Sequence, residues 1–525
     1  MTAAPVAGPR VWAGEPLEGH DPVPLPDFLL EHAHDLGDKP ALVDGPTGRA
    51  LSYRQLADGV ERVAAGLAAR GFGPGDVLAI SSRNLPEYAL AVYGAMAAGG
   101  AVTGANPLLT AGELADAGAG MLVTVPPFLG TARTAAARAG VREVVVFGEA
   151  DGATSFRELV DHDHPPAAAA VDPTRDLAVL PYSSGTTGLP KGVELTHANL
   201  VANARQEQAV VGFRADDVVV GVAPCFHAIG LNLILPCSLA AGATVVTMPR
   251  FDLAGFLELV QEHRATGTVV VPPVVLALAG HPLVDRYDLS SLRFLGCGGA
   301  PLGADAEQRC ADRLGCLVTQ GFGMTEGSAT FAIAPLEAPR RGSVGRLLPG
   351  TEARIVDPER GADLGPGRTG ELWLRGPQVM RGYRHNPEAT AATVDPDGWL
   401  RTGDLCYVDA DGYLFVVDRL KELIKYKGYQ VAPAELEQLL CAHPAVADAA
   451  VVPRPDPEAG ELPVAHVALR GQAAAEELQA WVAERVAPYK RLRAVRFTDQ
   501  VPRSPSGKLL RRVLVEAERA QAAGA

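Results

Sequence analysis

The sequence predicts an α/β protein of two unequal parts. A large N-terminal domain of layered α/β subdomains ends in a distorted β-barrel, and a small α+β domain follows. Three observations predict this. Short apolar runs alternate with helix-periodic segments through the first two thirds of the chain. After about Arg340 glycine and proline become dense and the strands shorten. After Asp418 the texture changes again, to a lysine-rich stretch followed by new helix and strand patterns. Alternation of this kind marks layers with largely parallel strands. A chain of 525 residues is also too long for one core.

The elements follow in order. Ser52 and Gln55 form a capping box, and Leu56, Val60, Val63, Ala64 and Leu67 recur at helical spacing behind it. Residues 71–75 break that helix, and 77–80 read as a buried strand. Further strands are expected at 122–125, 144–147, 218–220, 244–247, 269–271 and 294–295, with a helix over 253–263. Past 340 the expected strands are 353–356, 371–374 and 414–417, short enough for a barrel-like unit. The N-terminal domain is therefore placed at 1–417 and the C-terminal domain at 418–525. In the latter, Leu436, Leu439 and Leu440 mark one helix and Leu478, Trp481, Val482 and Val486 another, with strands at 446–452 and 464–469.

Composition excludes several classes. Apolar residues make up 47% of the chain, which supports a large interior and excludes disorder. A balance of 47 basic against 61 acidic residues leaves a net charge of −14. That excludes nucleic acid as a bulk partner, because phosphate neutralisation needs basic surface. The seven cysteines are scattered and form no C-x-x-C pair, as expected of free thiols in a reducing compartment. The first fifteen residues have neither a basic start nor an apolar h-region, and no apolar run has transmembrane length. A cytoplasmic location without stable membrane insertion is expected.

Residues 182–193 read Y-S-S-G-T-T-G-L-P-K-G-V and carry the most chemistry. Gly185, Gly188 and Gly192 let the backbone approach a ligand, and successive amides in such a turn form an anion-binding nest. Ser183, Ser184, Thr186 and Thr187 add hydroxyl donors, and Lys191 adds a cation. The composition suits a polyphosphate cradle between two strands. It is not a Walker A loop: the glycine spacing differs, and Pro190 and Gly192 around the lysine oppose a helix start.

Four further segments are candidates. Residues 320–326 read Q-G-F-G-M-T-E. Here Gln320, Gly321, Phe322, Gly323 and Met324 bring backbone near a ligand, while Thr325 and Glu326 supply a hydroxyl and a carboxylate. One carboxylate beside phosphate oxygens suits Mg²⁺. Residues 296–301, G-C-G-G-A-P, fail the dinucleotide fingerprint because proline takes the third glycine position. They read instead as a tight wall, Gly299, Ala300 and Pro301, beside a flat base. Residues 399–404, W-L-R-T-G-D, end on Asp404, which can accept two hydrogen bonds from a ribose diol or serve as a turn residue. Residues 502–508, P-R-S-P-S-G-K, end on Lys508, by itself an ordinary surface lysine.

These motifs occur in one order, together with G-E-L-W-L-R-G-P-Q-V-M-R-G-Y (370–383) and V-D-R-L-K-E-L-I-K-Y-K-G-Y-Q-V-A-P-A-E-L-E (417–437). In that order they resemble the adenylate-forming superfamily of acyl-CoA synthetases, adenylation domains and luciferases. The nearest resemblance is to the 4-coumarate–CoA ligase-like branch, and it spans about 25–514. It implies a two-step ligase using ATP, Mg²⁺ and coenzyme A. A carboxylate first attacks the α-phosphate of ATP, and the thiol of CoA then attacks the acyl-adenylate. By the same resemblance, residues 183–191 would hold the β- and γ-phosphates, Thr325 the α-phosphate, Glu326 the metal, and Asp404 and Arg419 the ribose. Lys508 would bridge carboxylate and α-phosphate. The small domain would rotate about a hinge within Asp418–Lys421, withdrawing Lys508 and delivering Lys425 and Gln430. Lys427 and Gly428 would then meet CoA.

The acid-binding segment, P-C-F-H-A-I-G-L-N (224–232), departs from the hydroxycinnamate ligases. His227 matches the residue that borders the carboxylate. Two places later the plant enzymes typically carry a tyrosine for the phenol, whereas Ile229 stands here. Small residues crowd the expected pocket: Ala228, Gly230, Gly296, Gly298, Gly299, Gly323 and Gly327. A roomy apolar pocket for a bulky apolar acid is expected. Hydroxycinnamate activation, acyl transfer to a carrier protein, and a thioesterification-only enzyme stay open, as does a homodimer. An amino-acid pocket would need an acidic residue that 224–232 lacks.

Overall fold

A computed structural model describes residues 10–19, 21–166, 169–183, 191–504 and 507–523. Two nine-stranded sheets form the bulk of the described chain. In the first, the strands Ala101–Ala105, Val77–Ser81, Met121–Thr124 and Glu143–Val146 run parallel. In the second, Leu317–Phe322, Phe294–Cys297, Gly267–Val270, Val218–Gly221, Thr244–Thr247 and Pro40–Asp44 run parallel. These strands are short and β-branched, and many of their residues are fully buried, as expected of strands covered on both faces. The capping box at Ser52 is present and starts the helix Tyr53–Ala69, which ends before the glycine-rich break.

A third sheet is antiparallel and takes the strands Glu352–Val356, Gly370–Arg375, Leu400–Val408 and Leu414–Arg419. Its edge is completed by Trp12–Ala13, from the other end of the chain. The chain leaves this sheet at Arg419 and enters a fourth at Ile424. That sheet joins Ile424–Tyr426, Tyr429–Val431, Gly460–Leu469, Val446–Asp456 and Ala494–Phe497. It has its own apolar core around Ile424, Leu436, Leu440, Val451, Val467 and Leu478. Among the described residues, no helix is long and apolar enough to cross a membrane. All seven cysteines are unpaired thiols.

The fourth-sheet unit rests on the second sheet's C-terminal edge. A Cβ at Gly507 would lie 2.8 Å from Val271 Cγ2, and a Cβ at Gly303 would lie 3.8 Å from Gln438 Cβ. A cavity of about 110 Å³ remains in this seam, lined by Ala300, Pro301, Gly303, Gln438, Arg503 and Arg511 among others.

The main core surrounds an ionisable group that the sequence did not flag. Glu207, on the helix His197–Val211, is buried, and its Oε2 accepts from the Cys237 thiol at 2.7 Å. Burial pushes its carboxyl up to about 7. A raised carboxyl stabilises the fold fully below the unfolded-state pKa, and that contribution is lost as pH rises through the folded value. The loss between pH 4.5 and neutrality is at most about 3 kcal/mol. Glu207→Gln cannot ionise, so its melting temperature is expected to gain on wild type between pH 5 and pH 8. Parallel melting profiles would show that Glu207 does not titrate there.

Candidate active site

Tyr182–Ser183 and Lys191–Thr196 form an antiparallel strand pair in which Ser183 lies opposite Lys191. Ser184, Gly185, Thr186, Thr187 and Gly188 lie outside the described residues. The strand Lys191–Thr196 pairs on its other side with Gly382–Tyr383. This places the Tyr383 ring 4.8 Å below the Lys191 ammonium. The same tyrosine donates its hydroxyl hydrogen to Glu326 Oε1 at 2.8 Å. Tyr383 received no individual role from the sequence; its only signal was its place at the end of the motif 370–383.

Glu326 is buried in a short turn, Thr325–Gly327, that follows the strand Leu317–Phe322. A buried amide network behind the turn fixes it. Asn203 Oδ1 accepts from the Ala329 and Thr330 amides, and its Nδ2 donates to the Thr330 carbonyl. Asn232 donates to the Ser328 carbonyl at 2.7 Å. Ser328 donates to the Gln378 carbonyl, and Gln378 joins Gln206 and Thr351. Partners this far apart in sequence cannot be read from a local pattern.

Two expectations change. Gly323 and Gly327 do not enlarge a pocket through the space their missing side chains leave. A Cβ on Gly327 would strike the Phe331 ring at 2.0 Å, and one on Gly323 the Ala329 carbonyl at 1.7 Å. Protein atoms fill both places, so these glycines serve packing. Gln320 is also committed. Its amide donates to Glu307 and accepts from the Leu302 N–H, leaving only its backbone for a ligand. Phe322, Met324 and Gly321 lie partly buried along the same edge, and Phe322 receives the Phe331 N–H.

Asp404 and Arg419 are register partners on adjacent antiparallel strands. Arg419 Nε donates to Asp404 Oδ1 at 3.0 Å. Burial raises the Asp404 carboxyl, and the Arg419 guanidinium offsets part of that rise. Only one carboxylate oxygen is used in this bond. Asp418 turns the opposite way, accepting from Arg419 and Ala434 backbone amides, and burial pushes it up to about 6. Lys421 is exposed.

Lys508 lies within electrostatic reach of Glu326, Asp404 and Arg419, and its charge also acts on His227. Burial and the Arg419 charge lower its ammonium pKa. The turn carrying it is tightly held. Its amide and carbonyl both bond to Ser504. Arg503 donates to the Gly507 carbonyl and grips Asp448 with two bonds of 2.8 and 2.9 Å. Arg511 then ties this terminus to Glu422, Glu437 and the Val451 carbonyl.

His227 begins the turn that enters the π-helical segment Ile229–Ile234. Asn84 steadies its approach, accepting from the Cys225 N–H and donating to the Gly221 and Ala223 carbonyls. Burial pushes the imidazole down to about 4. Its Nδ1 accepts from the Ile229 N–H at 3.4 Å. The ring is therefore neutral near pH 7 and carries its proton on Nε2, a donor suited to a carboxylate. Ala228 is buried beside it. Ile229 and Val271 flank Gly299, and the space at Gly298 is open, with the Gly321 carbonyl nearest at 3.8 Å. Gly296 is closer to its neighbour, 3.3 Å from Val269, and Gly230 packs on the Pro224 backbone. Ala300 and Pro301 continue the Gly299 wall on the seam with the small unit.

Lys425, Lys427, Gly428 and Gln430 are not in this cluster. They are exposed on the hairpin Ile424–Val431, with Lys425 opposite Gln430. Lys427 and Gly428 both have positive φ, 48° and 81°, the geometry of a tight two-residue hairpin turn.

Comparison with known proteins agrees with this geometry. A model described as AMP-binding enzyme matches residues 29–384, and one described as AMP-binding enzyme C-terminal domain matches 435–508. A 4-coumarate–CoA ligase of Oryza sativa subsp. japonica is 42% identical over 515 residues, covering 95% of this chain and 93% of the relative. The crystal structure of an anthranilate CoA ligase in complex with anthranoyl-AMP aligns with a TM-score of 0.89 at 28% identity, over 96% of this chain and 98% of that one. ATP-bound MatB from Rhodopseudomonas palustris aligns at 0.86 with 30% identity, over 94% and 99%. The chain belongs to the AMP-binding enzyme family, on its 4-coumarate–CoA ligase-like branch.

Proposed function

We propose that the protein is an AMP-forming acid–CoA ligase that activates a bulky apolar carboxylic acid. The observation that carries this reading is the convergence of Lys508 with His227, Glu326, Asp404 and Arg419. These residues come from separate segments between positions 227 and 508.

In the first step a carboxylate oxygen attacks the α-phosphorus of ATP and the bond to the β-phosphate oxygen breaks. Acyl-AMP and pyrophosphate result. The difficulty is bringing two anions together. Lys508, partly buried, supplies the charge where the anions meet, and the neutral His227 donates Nε2–H to the carboxylate without adding a competing positive charge. Thr325 orients the α-phosphate, Ser183 and Lys191 the terminal phosphates, and Asp404 with Arg419 the ribose. Glu326 fits Mg²⁺, which takes one or two carboxylates and completes its shell with phosphate oxygens and water. When bound, the ion would neutralise charge developing on the leaving pyrophosphate.

In the second step the CoA sulfur attacks the acyl carbon and the bond to AMP breaks. Lys425, Gln430, Lys427 and Gly428 are assigned to this step after rotation about Asp418–Lys421. Their exposure while Lys508 is partly buried fits the conformation of step one.

The choice of acid rests on the wall of Ile229, Val271, Gly298 and Gly299. No hydroxyl stands at position 229 to pair with a phenol, and a site lacking that bond gives up discrimination for the polar group. Alkyl-aryl, polycyclic or medium-to-long fatty acids fit this wall. A second reading, hydroxycinnamate activation, is favoured by the 42% identity to a 4-coumarate–CoA ligase. A panel of acids assayed for CoA thioester separates the two. Apolar acids are expected to exceed coumarate and caffeate in kcat/KM, and the reverse order would establish the second reading.

A further inference from the structure

Tyr383 touches both charged groups assigned to the triphosphate end of the site. Its ring carries the Lys191 ammonium at 4.8 Å, within the range of a cation–π contact. Its hydroxyl donates to Glu326 Oε1 at 2.8 Å. The side chain is 8% exposed and held at several points. Its amide donates to Thr390 Oγ1 at 2.9 Å, its carbonyl accepts from the Asn386 amide, and its neighbour across the strand pair is Val193.

Among the described residues, neither Lys191 nor Glu326 makes a salt bridge. Tyr383 instead offers Lys191 its ring face and Glu326 its hydroxyl. It also occupies one oxygen of the Glu326 carboxylate and leaves Oε2 outside that bond. A carboxylate held in this way presents one oxygen in a fixed direction, which suits the strict geometry of Mg²⁺, and such outer partners tune metal affinity.

We propose that Tyr383 is a positioning residue for the first half-reaction. Its hydroxyl sets Glu326 as a single-oxygen ligand for the metal–nucleotide complex, and its ring holds Lys191 apart for the phosphates. The inference rests on the ligase reading above.

The test is calorimetric titration of ATP into the free enzyme, with and without Mg²⁺. Tyr383→Phe keeps the ring and removes the hydroxyl. It is expected to reduce the gain in ATP affinity on adding Mg²⁺ by about 10-fold. ATP affinity without metal, and thioester formation from supplied acyl-AMP, should stay at wild-type levels. The melting temperature of Tyr383→Phe confirms that the fold survives. An unchanged Mg²⁺ response in Tyr383→Phe overturns the inference. So does an equal loss with and without metal, or in both half-reactions, since a merely structural role predicts those. A wild type without Mg²⁺-dependent ATP binding or pyrophosphate exchange with any acid overturns the ligase reading and this inference together.

Discussion

Lys508→Ala is expected to lower acid-dependent ATP–pyrophosphate exchange by about 100- to 1,000-fold, the usual effect of removing one preorganised group that meets developing charge. Thioester formation from supplied acyl-AMP should change only a few-fold. The asymmetry follows from where the lysine sits. It is partly buried, within electrostatic reach of His227, Asp404, Glu326 and Arg419, so under the proposed reading it serves the chemistry at the α-phosphate, whereas the hairpin bearing Lys425 is exposed. Equal loss of both half-reactions would contradict the division of labour between Lys508 and Lys425.

The second expected result concerns the seam between the two units. A Cβ built on Gly303 lies 3.8 Å from Gln438 Cβ, about the mean separation in a disulfide. Gly303 has φ −67°, so a cysteine there costs no backbone strain. Gly303→Cys/Gln438→Cys should therefore close a cross-link that holds the small unit where Lys508 is engaged. The oxidised protein is expected to retain ATP–pyrophosphate exchange and to lose overall CoA thioester formation in proportion to the cross-linked fraction. Reduction with a thiol should restore it. A fully cross-linked enzyme that still makes thioester at the wild-type rate would show that no rotation is needed.

The parts legible in the sequence were those encoded in contiguous stretches. Strands such as Thr244–Thr247 and the helix Leu253–Glu262 follow from local apolar runs and spacing, and the capping box at Ser52 needs only four residues. The motif at 182–193 stood out because its glycines, hydroxyls and lysine lie at close range. What escaped depends on distant neighbours. Composition cannot show that Phe331 fills the space at Gly327, or that Glu307 engages Gln320. Tyr383 meets Glu326 across 57 positions and Lys191 through a strand pair. Trp12–Ala13 completes a sheet whose other strands begin beyond position 350. Lys508, too, looked like a surface residue until its order among the other motifs gave it a place.

The arginine braces at the chain's end have a consequence for timing. Arg503 fastens the Lys508 turn to Asp448, and Arg511 fastens the following helix to Glu422, beside the hairpin of Lys425. Lysine and hairpin are thereby parts of one lever. Under the rotation proposed above, they would form an interlock in which no pose presents both to the same acyl-adenylate. Return of pyrophosphate and arrival of the thiol would then be separated in time and would not compete side by side. The fate of each activated acid would be decided by how long the lever dwells at either end of its travel.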